Sequence, residues 1–287
     1  MEHRLTYALA LLSAMVYGVA DFLGGIATRR TSVLTVAFFS QAIGLVGLVL
    51  IAPFASRGVA PAADLAWGAV AGFFGGIGVA LLYRGLATGS ASVVAPVTAV
   101  CAIVVPVAAG LAFGERPGAT ALWGIGFAAL AVALLSAGGP VPGATAGGPA
   151  RGSGVPLALA SGTAIGLFLV ALGRTGEASG MWPLVVARVV SSGGMFVLAL
   201  LRGVPRMPPR PALYATVGAG ILDVAANAFY VLAVRGGSLG IIATLASLYP
   251  ASTVLLARMV LHERLALVQK LGLGVALVAI VMITWRV

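Results

Sequence analysis

Ten apolar runs, each long enough to cross a lipid bilayer as a helix, fill most of the 287-residue sequence. A helix needs about 20 apolar residues to span roughly 30 Å of hydrocarbon. Only 8% of the residues are charged, against about 25% in a soluble domain. The sequence therefore predicts an all-α membrane protein with ten transmembrane helices. We number these runs as spans 1 to 10, and they cover 5–26, 33–51, 65–87, 91–113, 119–137, 155–173, 182–201, 213–234, 239–261 and 268–285.

The two halves of the sequence repeat each other. When the chain is shifted by 148 residues they align without a gap, and every span boundary follows the shift. Two repeated pairs are not explained by a composition rich in Gly and Ala, namely Gly-Ser at 89–90 and 237–238 and Glu-Arg at 115–116 and 263–264. A Gly- and Pro-rich segment between the halves is typical of a linker. We predict a first five-helix repeat at 1–137, a linker at 138–154 and a second five-helix repeat at 155–287.

Five spans in each half is an odd number, and this parity determines how the halves are related. The second repeat must enter the bilayer with the opposite orientation to the first. Inverted repeats hold their substrate site near the bilayer midplane, where the repeats meet, and rocking of one repeat against the other opens it to alternate sides. The sequence thus predicts two inverted five-helix repeats and a transport function. A soluble enzyme would not explain the parity.

Two segments at equivalent positions in the halves carry a family resemblance. They are GSASVVAPVTAVCAIVVPVAAGLAFGERP at 89–117 and GSLGIIATLASLYPASTVLLARMVLHERL at 237–265. Both resemble the signature segments of EamA-type transporters in the drug/metabolite transporter superfamily, and Tyr17-Gly18 stands where that family often has Trp-Gly. The resemblance implies ten helices, a pathway lined by helices 1 to 4 and 6 to 9, and helices 5 and 10 at the periphery. It also implies export of amino acids or other small metabolites, and it leaves the substrate open.

Ionisable groups inside apolar spans indicate functional sites, because a charge at the bilayer centre costs at least about 2.5 to 3.5 kcal/mol. Asp223 lies near the middle of span 8, and Asn227 and Tyr230 follow it on the same helix face. Span 7 also contains a charged residue, Arg188. Two interpretations stay open. Arg188 and Asp223 form an ion pair that only fixes two spans together, or the four residues line a substrate path.

Asp21 is the only charge in span 1, and it shares a helix face with Tyr17. In one interpretation it is a carboxylate near the interface, balanced by Arg29 or Arg30. In the other it is a proton or substrate site, where loss of hydration favours proton uptake near neutral pH. The smallest members of the superfamily carry an acidic coupling residue in their first helix, which Asp21 resembles in helix and chemistry. Asp21 and Asp223 are therefore the proton-coupling candidates.

Two polar residues and two prolines complete the set of candidates. Gln41 in span 2 and Tyr83 at the end of span 3 either line the path or make contacts between helices. Pro250 removes a helical hydrogen bond from span 9, and Pro106 does the same in span 4. Broken helices where repeats meet suit gating, and packed bundles also tolerate such prolines.

Other classes of protein find little support in the sequence. It contains no cluster of Cys, His and carboxylates, so we expect no metal and no cofactor. The loops hold no convergent acid, base or nucleophile, so we expect no enzyme. The net charge of +10 is scattered between the spans, which argues against nucleic acid. The loop carboxylates Glu115 and Glu263 are expected to cap helices or to form loop ion pairs.

The expected partners are the lipid bilayer and a small-molecule substrate, and a monomer is compatible with the sequence. Residue usage favours the inner membrane of a bacterium. Six loop cations lie on the same side of the membrane as the termini and nine lie on the opposite side. This difference slightly favours external termini, whereas the resemblance implies cytoplasmic termini. A zwitterionic metabolite satisfies both signs of charge in the spans. A multidrug exporter of cations is the alternative, followed by a passive channel.

Overall fold

The computed structural model describes residues 2–55, 60–88, 91–137, 154–202, 207–261 and 265–285. Apart from Gly154, the predicted linker lies outside these residues. Every regular element within the described ranges is a helix. The helices are α1 Glu2–Thr28, α2 Val33–Ala55, α3 Ala62–Thr88, α4 Ala91–Ala112, α5 Ala119–Ala137, α6 Val155–Gly173, α7 Trp182–Arg202, α8 Arg210–Arg235, α9 Leu239–Ala246, α10 Tyr249–Val260 and α11 Leu267–Thr284, with a 3₁₀ helix at Glu177–Ser179.

Nine stretches of the described chain are long and apolar enough to cross a membrane. They correspond to predicted spans 1 to 6 and 8 to 10, and the ninth span comprises α9 and α10 together. Span 7 corresponds to α7, whose apolar part, Trp182–Leu198, is shorter. The helical character predicted from the apolar runs is therefore confirmed.

Span 9 is divided into two helices at Ser247 and Leu248. The Leu248 N–H bonds to the carbonyl of Leu245 at 3.2 Å, which tightens the last turn of α9. Pro250 then lies in the first turn of α10, where a missing N–H costs no intrahelical bond. Pro106, in contrast, lies inside an unbroken α4. The expected interruption is present at Pro250 and absent at Pro106.

Eight of the predicted spans pack as a closed ring in which helices of the two halves alternate. Around the ring, α1 contacts α8, α8 contacts α2, α2 contacts α7 and α7 contacts α3. The ring continues through α6 and α4 and returns to α1 through α9 and α10. Helices α5 and α11 pair with each other and contact the ring mainly through α4. The space enclosed by the ring is therefore bordered by both halves.

Contacts between the halves recur after the shift of 148 residues. The Ser13 hydroxyl of α1 donates to the carbonyl of Ala226 in α8 at 2.8 Å. The equivalent hydroxyl, Ser161 of α6, donates to the equivalent carbonyl, Gly78 of α3, also at 2.8 Å. Both hydroxyls are fully buried. The duplication read from the sequence is thus present in the packing as paired contacts.

Glycines allow the helices of the ring to approach at backbone distance. A Cβ on Gly72 of α3 would lie 2.3 Å from the carbonyl oxygen of Ala187 in α7. A Cβ on Gly220 of α8 would lie 2.4 Å from the carbonyl oxygen of Ser40 in α2. Small residues at such crossings are the usual basis of helix packing in membranes. These two crossings join α3 to α7 and α2 to α8 close to Arg188 and Asp223 along the chain.

Candidate functional site

Arg188 of α7 and Asp223 of α8 form an ion pair. Gln41 of α2 extends it, because its Oε1 accepts hydrogen bonds from Arg188 at 3.3 Å and from the Ser191 hydroxyl at 2.8 Å. Ser191 lies one turn after Arg188 on α7. The cluster therefore joins one helix of the first half to two helices of the second. The pairing expected from the sequence is present, and Gln41 belongs to it.

The charged pair is only partly covered by protein. The side chain of Asp223 is 36% exposed and that of Arg188 is 12% exposed. A pair that serves only to join two helices gains most when it is screened from solvent and saturated with hydrogen bonds. Here the carboxylate retains an exposed face, so the protein alone does not saturate it.

The polar face of α8 becomes buried within one turn of Asp223. Asn227 is 2% exposed, and its Nδ2 donates to the Asp223 carbonyl at 2.7 Å. Its Oδ1 has no hydrogen-bond partner among the described residues. Tyr230 is fully buried and donates its hydroxyl to the carbonyl of Leu169 in α6 at 3.0 Å. Side-chain exposure along this face of α8 therefore ends between Asp223 and Asn227, and the Tyr230 hydroxyl already has a hydrogen-bond partner.

Tyr17 and Asp21 of α1 form a second polar face beside this cluster. The ring of Tyr17 lies 6.1 Å from that of Tyr249, the first residue of α10. Asp21 is exposed and interacts electrostatically with both tyrosines. Tyr17 also interacts electrostatically with Arg188. Because a carboxylate turned towards lipid is costly, this proximity to two tyrosines favours an orientation of Asp21 towards the interior of the ring.

Two hydroxyls of α10 keep Tyr249 next to α1. Ser252 donates to the Ala14 carbonyl at 3.1 Å, and Thr253 donates to the Gly18 carbonyl at 3.2 Å. A Cβ on Gly18 would lie 2.7 Å from the backbone oxygen of Tyr249. The Tyr-Gly pair in span 1 thus has two separate uses. Gly18 leaves room for α10 to approach closely, and the ring of Tyr17 lies beside that of Tyr249 in α10.

The structure adds two residues that the sequence patterns missed, Ser191 and Tyr249. Both follow a recognised residue closely, Ser191 at i+3 from Arg188 and Tyr249 directly before Pro250, and that adjacency was the available signal. Tyr83 belongs to α3, and its side chain lies outside the described residues. Within the described part of the chain, no group of three or more His, Cys, Asp and Glu side chains could hold a metal ion.

Glu115, in the loop after α4, binds the start of α9. Its carboxylate accepts hydrogen bonds from the N–H groups of Leu239 at 2.5 Å and Gly240 at 3.1 Å, and from the Ser238 hydroxyl at 2.5 Å. A carboxylate at a helix N-terminus satisfies free donors and complements the helix dipole. The capping role expected for Glu115 is confirmed. Glu263, its counterpart in the repeat, lies outside the described residues.

Fold and site together define a multi-pass helical membrane protein built from two repeats, with an accessible charged pair where the repeats meet. The sequence matches the model of the EamA-like transporter family twice, over residues 4–137 and 152–285. The chain belongs to this family of transporters. The two matches cover nearly the whole chain and coincide with the two halves found by the shift.

Comparison with solved structures supports the same fold. In all, 28 chains match. One of them, described only as "Crystal structure of protein", superposes with a TM-score of 0.67 over 95% of this chain and 96% of its own, at 18% identity. No curated protein matches the sequence.

Proposed function

We propose that the protein is a secondary carrier that exports small zwitterionic metabolites, such as amino acids, by alternating access. The observation that carries the proposal is the Arg188–Asp223 pair, which offers one charge of each sign on an accessible face between the two halves. Gln41 and the Asp21 face border the same pair. A single chain contains the whole site, so a monomer suffices.

The finer architecture in this proposal is ten spans in two inverted repeats. Counting α9 and α10 as one span and α7 as another gives five spans in each half. An odd number inverts the second half relative to the first. The exchanged contacts of Ser13 and Ser161 support a two-fold relation between the halves. Under this proposal the chain lies in the inner membrane of a bacterium and carries out no chemical conversion.

The energetics of the pair favour a substrate that carries both charges. Removing one partner of a buried ion pair leaves the other uncompensated and costs about 3 to 5 kcal/mol. A ligand bearing only an ammonium group would displace Arg188 from Asp223 and leave the guanidinium unpaired. A zwitterion replaces both partners at once, with its carboxylate on Arg188 and its ammonium group on Asp223. Arg188 and Asp223 are then each paired with an opposite charge both before and after the substrate binds.

Export of organic cations is the second candidate, and a specific observation favours it. Asp21 is an exposed carboxylate flanked by the rings of Tyr17 and Tyr249. Aromatic faces and a carboxylate together attract cations. Under this candidate the Asp21 face, instead of the Arg188–Asp223 pair, binds the substrate.

Counterflow in liposomes tests the proposal and separates the candidates. Liposomes containing the purified protein are loaded with one unlabelled amino acid at a time, and uptake of the same labelled compound is measured. We expect trans-stimulated uptake of at least one amino acid. Uptake should fall at least tenfold in Arg188→Ala and Asp223→Asn and should persist in Arg210→Ala, which removes an exposed arginine of α8.

Three outcomes would count against this carrier. Uptake without trans-stimulation indicates a channel. Uptake of ethidium that depends on Asp21 but not on Arg188 selects the cation exporter. Full amino-acid counterflow in both Arg188→Ala and Asp223→Asn removes the proposed site.

Proton coupling through Asp21 is a separable part of the proposal. An exposed carboxylate in a poorly hydrated ring can exchange its proton for substrate during the cycle. An imposed pH gradient should then drive uptake by the wild-type protein and not by Asp21→Asn. Equal gradient-driven uptake by both proteins would exclude Asp21 as the coupling acid.

A further inference from the structure

The hairpin between α6 and α7, residues 174–181, is held by charged residues from two other helices. Asp64, in the first turn of α3, accepts hydrogen bonds from the Gly176 N–H at 3.0 Å and from the Ser179 hydroxyl. Arg235, the last residue of α8, donates to the Thr175 carbonyl at 3.3 Å and to the Gly180 carbonyl at 2.8 Å. The hairpin is thus fixed from both sides by side chains of opposite sign.

These hydrogen bonds lie on one face of the molecule, which we call the terminal face and define by Asp64, Glu115, Thr175 and Arg235. The Glu115 cap on α9 belongs to it, because only three residues separate the end of α8 from the start of α9. The start of α1 reaches the same face, where the Thr6 hydroxyl donates to the Gly236 carbonyl at 3.4 Å.

Residues between the charged pair and the terminal face are buried. Along α8, exposure falls from 36% at Asp223 to 2% at Asn227 and 0% at Tyr230. Arg235 follows about 18 Å beyond Asp223 at 1.5 Å per residue. In the hairpin itself, Thr175 and Ser179 are buried. The hydrogen bonds of Asp64 and Arg235 therefore fix hairpin 174–181 at the end of the ring where the side chains are buried.

The equivalent hairpin in the first half, residues 26–33, is built differently. The Thr28 hydroxyl donates to the Gly25 carbonyl at 2.9 Å, and Ser32 bonds with Thr35 at 2.7 Å, so these contacts remain local. Arg29 and Arg30 are exposed. This hairpin follows the exposed Asp21 on α1 and lies at the opposite end of the helices from the terminal face.

The two residues that hold hairpin 174–181 have no counterparts in the repeat. The 148-residue shift pairs Asp64 with Ala212 and Arg235 with Ala87. Gly180, whose φ of 51° suits glycine, is paired with Ser32. In contrast, the partners in the Glu115 cap recur as Glu263 and Ser90. The cap residues are therefore a shared feature of the halves, whereas Asp64 and Arg235 stabilise the closure of one face only.

We propose that Asp64 and Arg235 are gating residues that hold hairpin 174–181 shut over the terminal face and bias the protein towards the state open on the other side. This pair, the hairpin latch, opens once in each transport cycle. That last statement rests on the proposed carrier function. The bias between the two states does not depend on the carrier function, because it is a property of the folded chain.

Cysteine accessibility tests the latch without measuring transport. Cys101, the single native cysteine, is replaced by Ala, and one reporter is introduced at a time into the full chain in detergent. Val234→Cys reports on the terminal face, because Val234 is 6% exposed beside Arg235. Gly24→Cys reports on the other end, because a Cβ there meets no atom within 4 Å and Gly24 follows Asp21 by three residues. The probe is a charged maleimide.

Opening of the latch should change the two reporters in opposite directions. In Asp64→Ala and in Arg235→Ala, we expect labelling of Val234→Cys to accelerate about tenfold and labelling of Gly24→Cys to slow. The control is Ala178→Ser, which alters an exposed residue of the same hairpin without changing its charge and should change neither rate by more than about twofold. Melting temperatures measured in parallel identify any variant that fails to fold, and Asp64→Asn and Arg235→Lys then replace it.

Two results would overturn the latch. One is unchanged labelling of both reporters. The other is faster labelling of Val234→Cys with Gly24→Cys unaffected, which means local loosening without a change of state. Failure of the carrier function is a distinct outcome, because opposite shifts in labelling together with absent counterflow would leave the latch standing and reject only the transport proposal.

Discussion

Helices α3 and α8 occupy equivalent positions in the two halves, yet among their described side chains the polar residues next to the charged pair belong to α8. The shift pairs Asp223 with Gly75 and Asn227 with Val79. At the same time it preserves the contact of each helix with its neighbour, through Ala226 in α8 and Gly78 in α3. The comparison teaches that the contacts between helices recur in both halves, whereas the polar residues of the candidate site on α8 do not.

The same division holds for the other helices at the site. Asp21 of α1 is paired with Leu169 of α6, and Arg188 of α7 is paired with Ser40 of α2. The charged residues are therefore confined to one of each pair, whereas α2 and α7 both contribute polar side chains, Gln41 and Ser191. The side chains around the charged pair therefore differ between the halves, although contacts between neighbouring helices recur in both.

The largest expected effect tests whether the α8 charge is functional or structural. Asp223→Asn leaves the Arg188 guanidinium unpaired, which costs about 3 to 5 kcal/mol when a pair is fully buried. We expect about 2 kcal/mol here, because Asp223 is 36% exposed and water offsets part of the loss. The double variant Arg188→Gln with Asp223→Asn should regain most of that stability and remain without counterflow. Thermal unfolding in detergent measures the difference.

A matched substitution in the other copy is the control for this prediction. Ser40→Ala alters the position equivalent to Arg188, and its hydroxyl donates only to the nearby Ala37 carbonyl. It should leave both stability and counterflow unchanged within error. If the double charge variant keeps its transport, the pair serves only to join α7 and α8, and the distinction between frame and site fails.

A smaller effect tests the frame through two duplicated glycines. A Cβ on Gly124 would lie 2.7 Å from Ile283, and a Cβ on Gly272 would lie 2.9 Å from Leu135. The 148-residue shift relates the two glycines to each other and Leu135 to Ile283, so these are equivalent contacts. Overpacking of this kind costs about 1 to 3 kcal/mol, so Gly124→Ala and Gly272→Ala should lower the melting temperature by similar amounts.

The chain provides its own control for the glycine test. Gly126 and Gly274 are also related by the shift, and a Cβ on either meets no atom within 4 Å. Their replacement by Ala should leave stability unchanged or raise it by about 0.5 to 1 kcal/mol, since Ala is the better helix former. Unequal losses at Gly124 and Gly272 would show that α5 and α11 do not share one duplicated interface.

Much of the frame could be predicted from the sequence, because apolar length, parity and repetition act over whole helices. The division of span 9 was also predictable, since proline removes a particular hydrogen bond. The sequence could not distinguish Pro250 from Pro106. That outcome depends on whether neighbouring helices allow the freed turn to open, and α4 stays continuous.

In the polar cluster, the charged residues and Gln41 could be predicted from the sequence, and the hydroxyl groups could not. Arg188 and Asp223 stand out because charges inside spans are costly. Ser191 and Tyr249 do not, since hydroxyls are common in spans and their use depends on which helix lies opposite. The hairpin latch was missed for the opposite reason. Asp64 and Arg235 lie at helix ends, where charges are expected whatever they contact.

The central claim is that the Arg188–Asp223 pair binds a zwitterion, and ligand-dependent melting tests it most directly. A ligand that binds the folded state raises the melting temperature by mass action. The common amino acids are screened singly with the full-length protein. Any that stabilises it is then compared with its N-acetyl and methyl ester derivatives, each of which lacks one charge.

The account predicts a rise in melting temperature with the intact zwitterion, little or none with either derivative, and loss of the rise in Arg188→Ala and in Asp223→Asn. An equal rise with the methyl ester, or a rise that persists without Arg188, would contradict it.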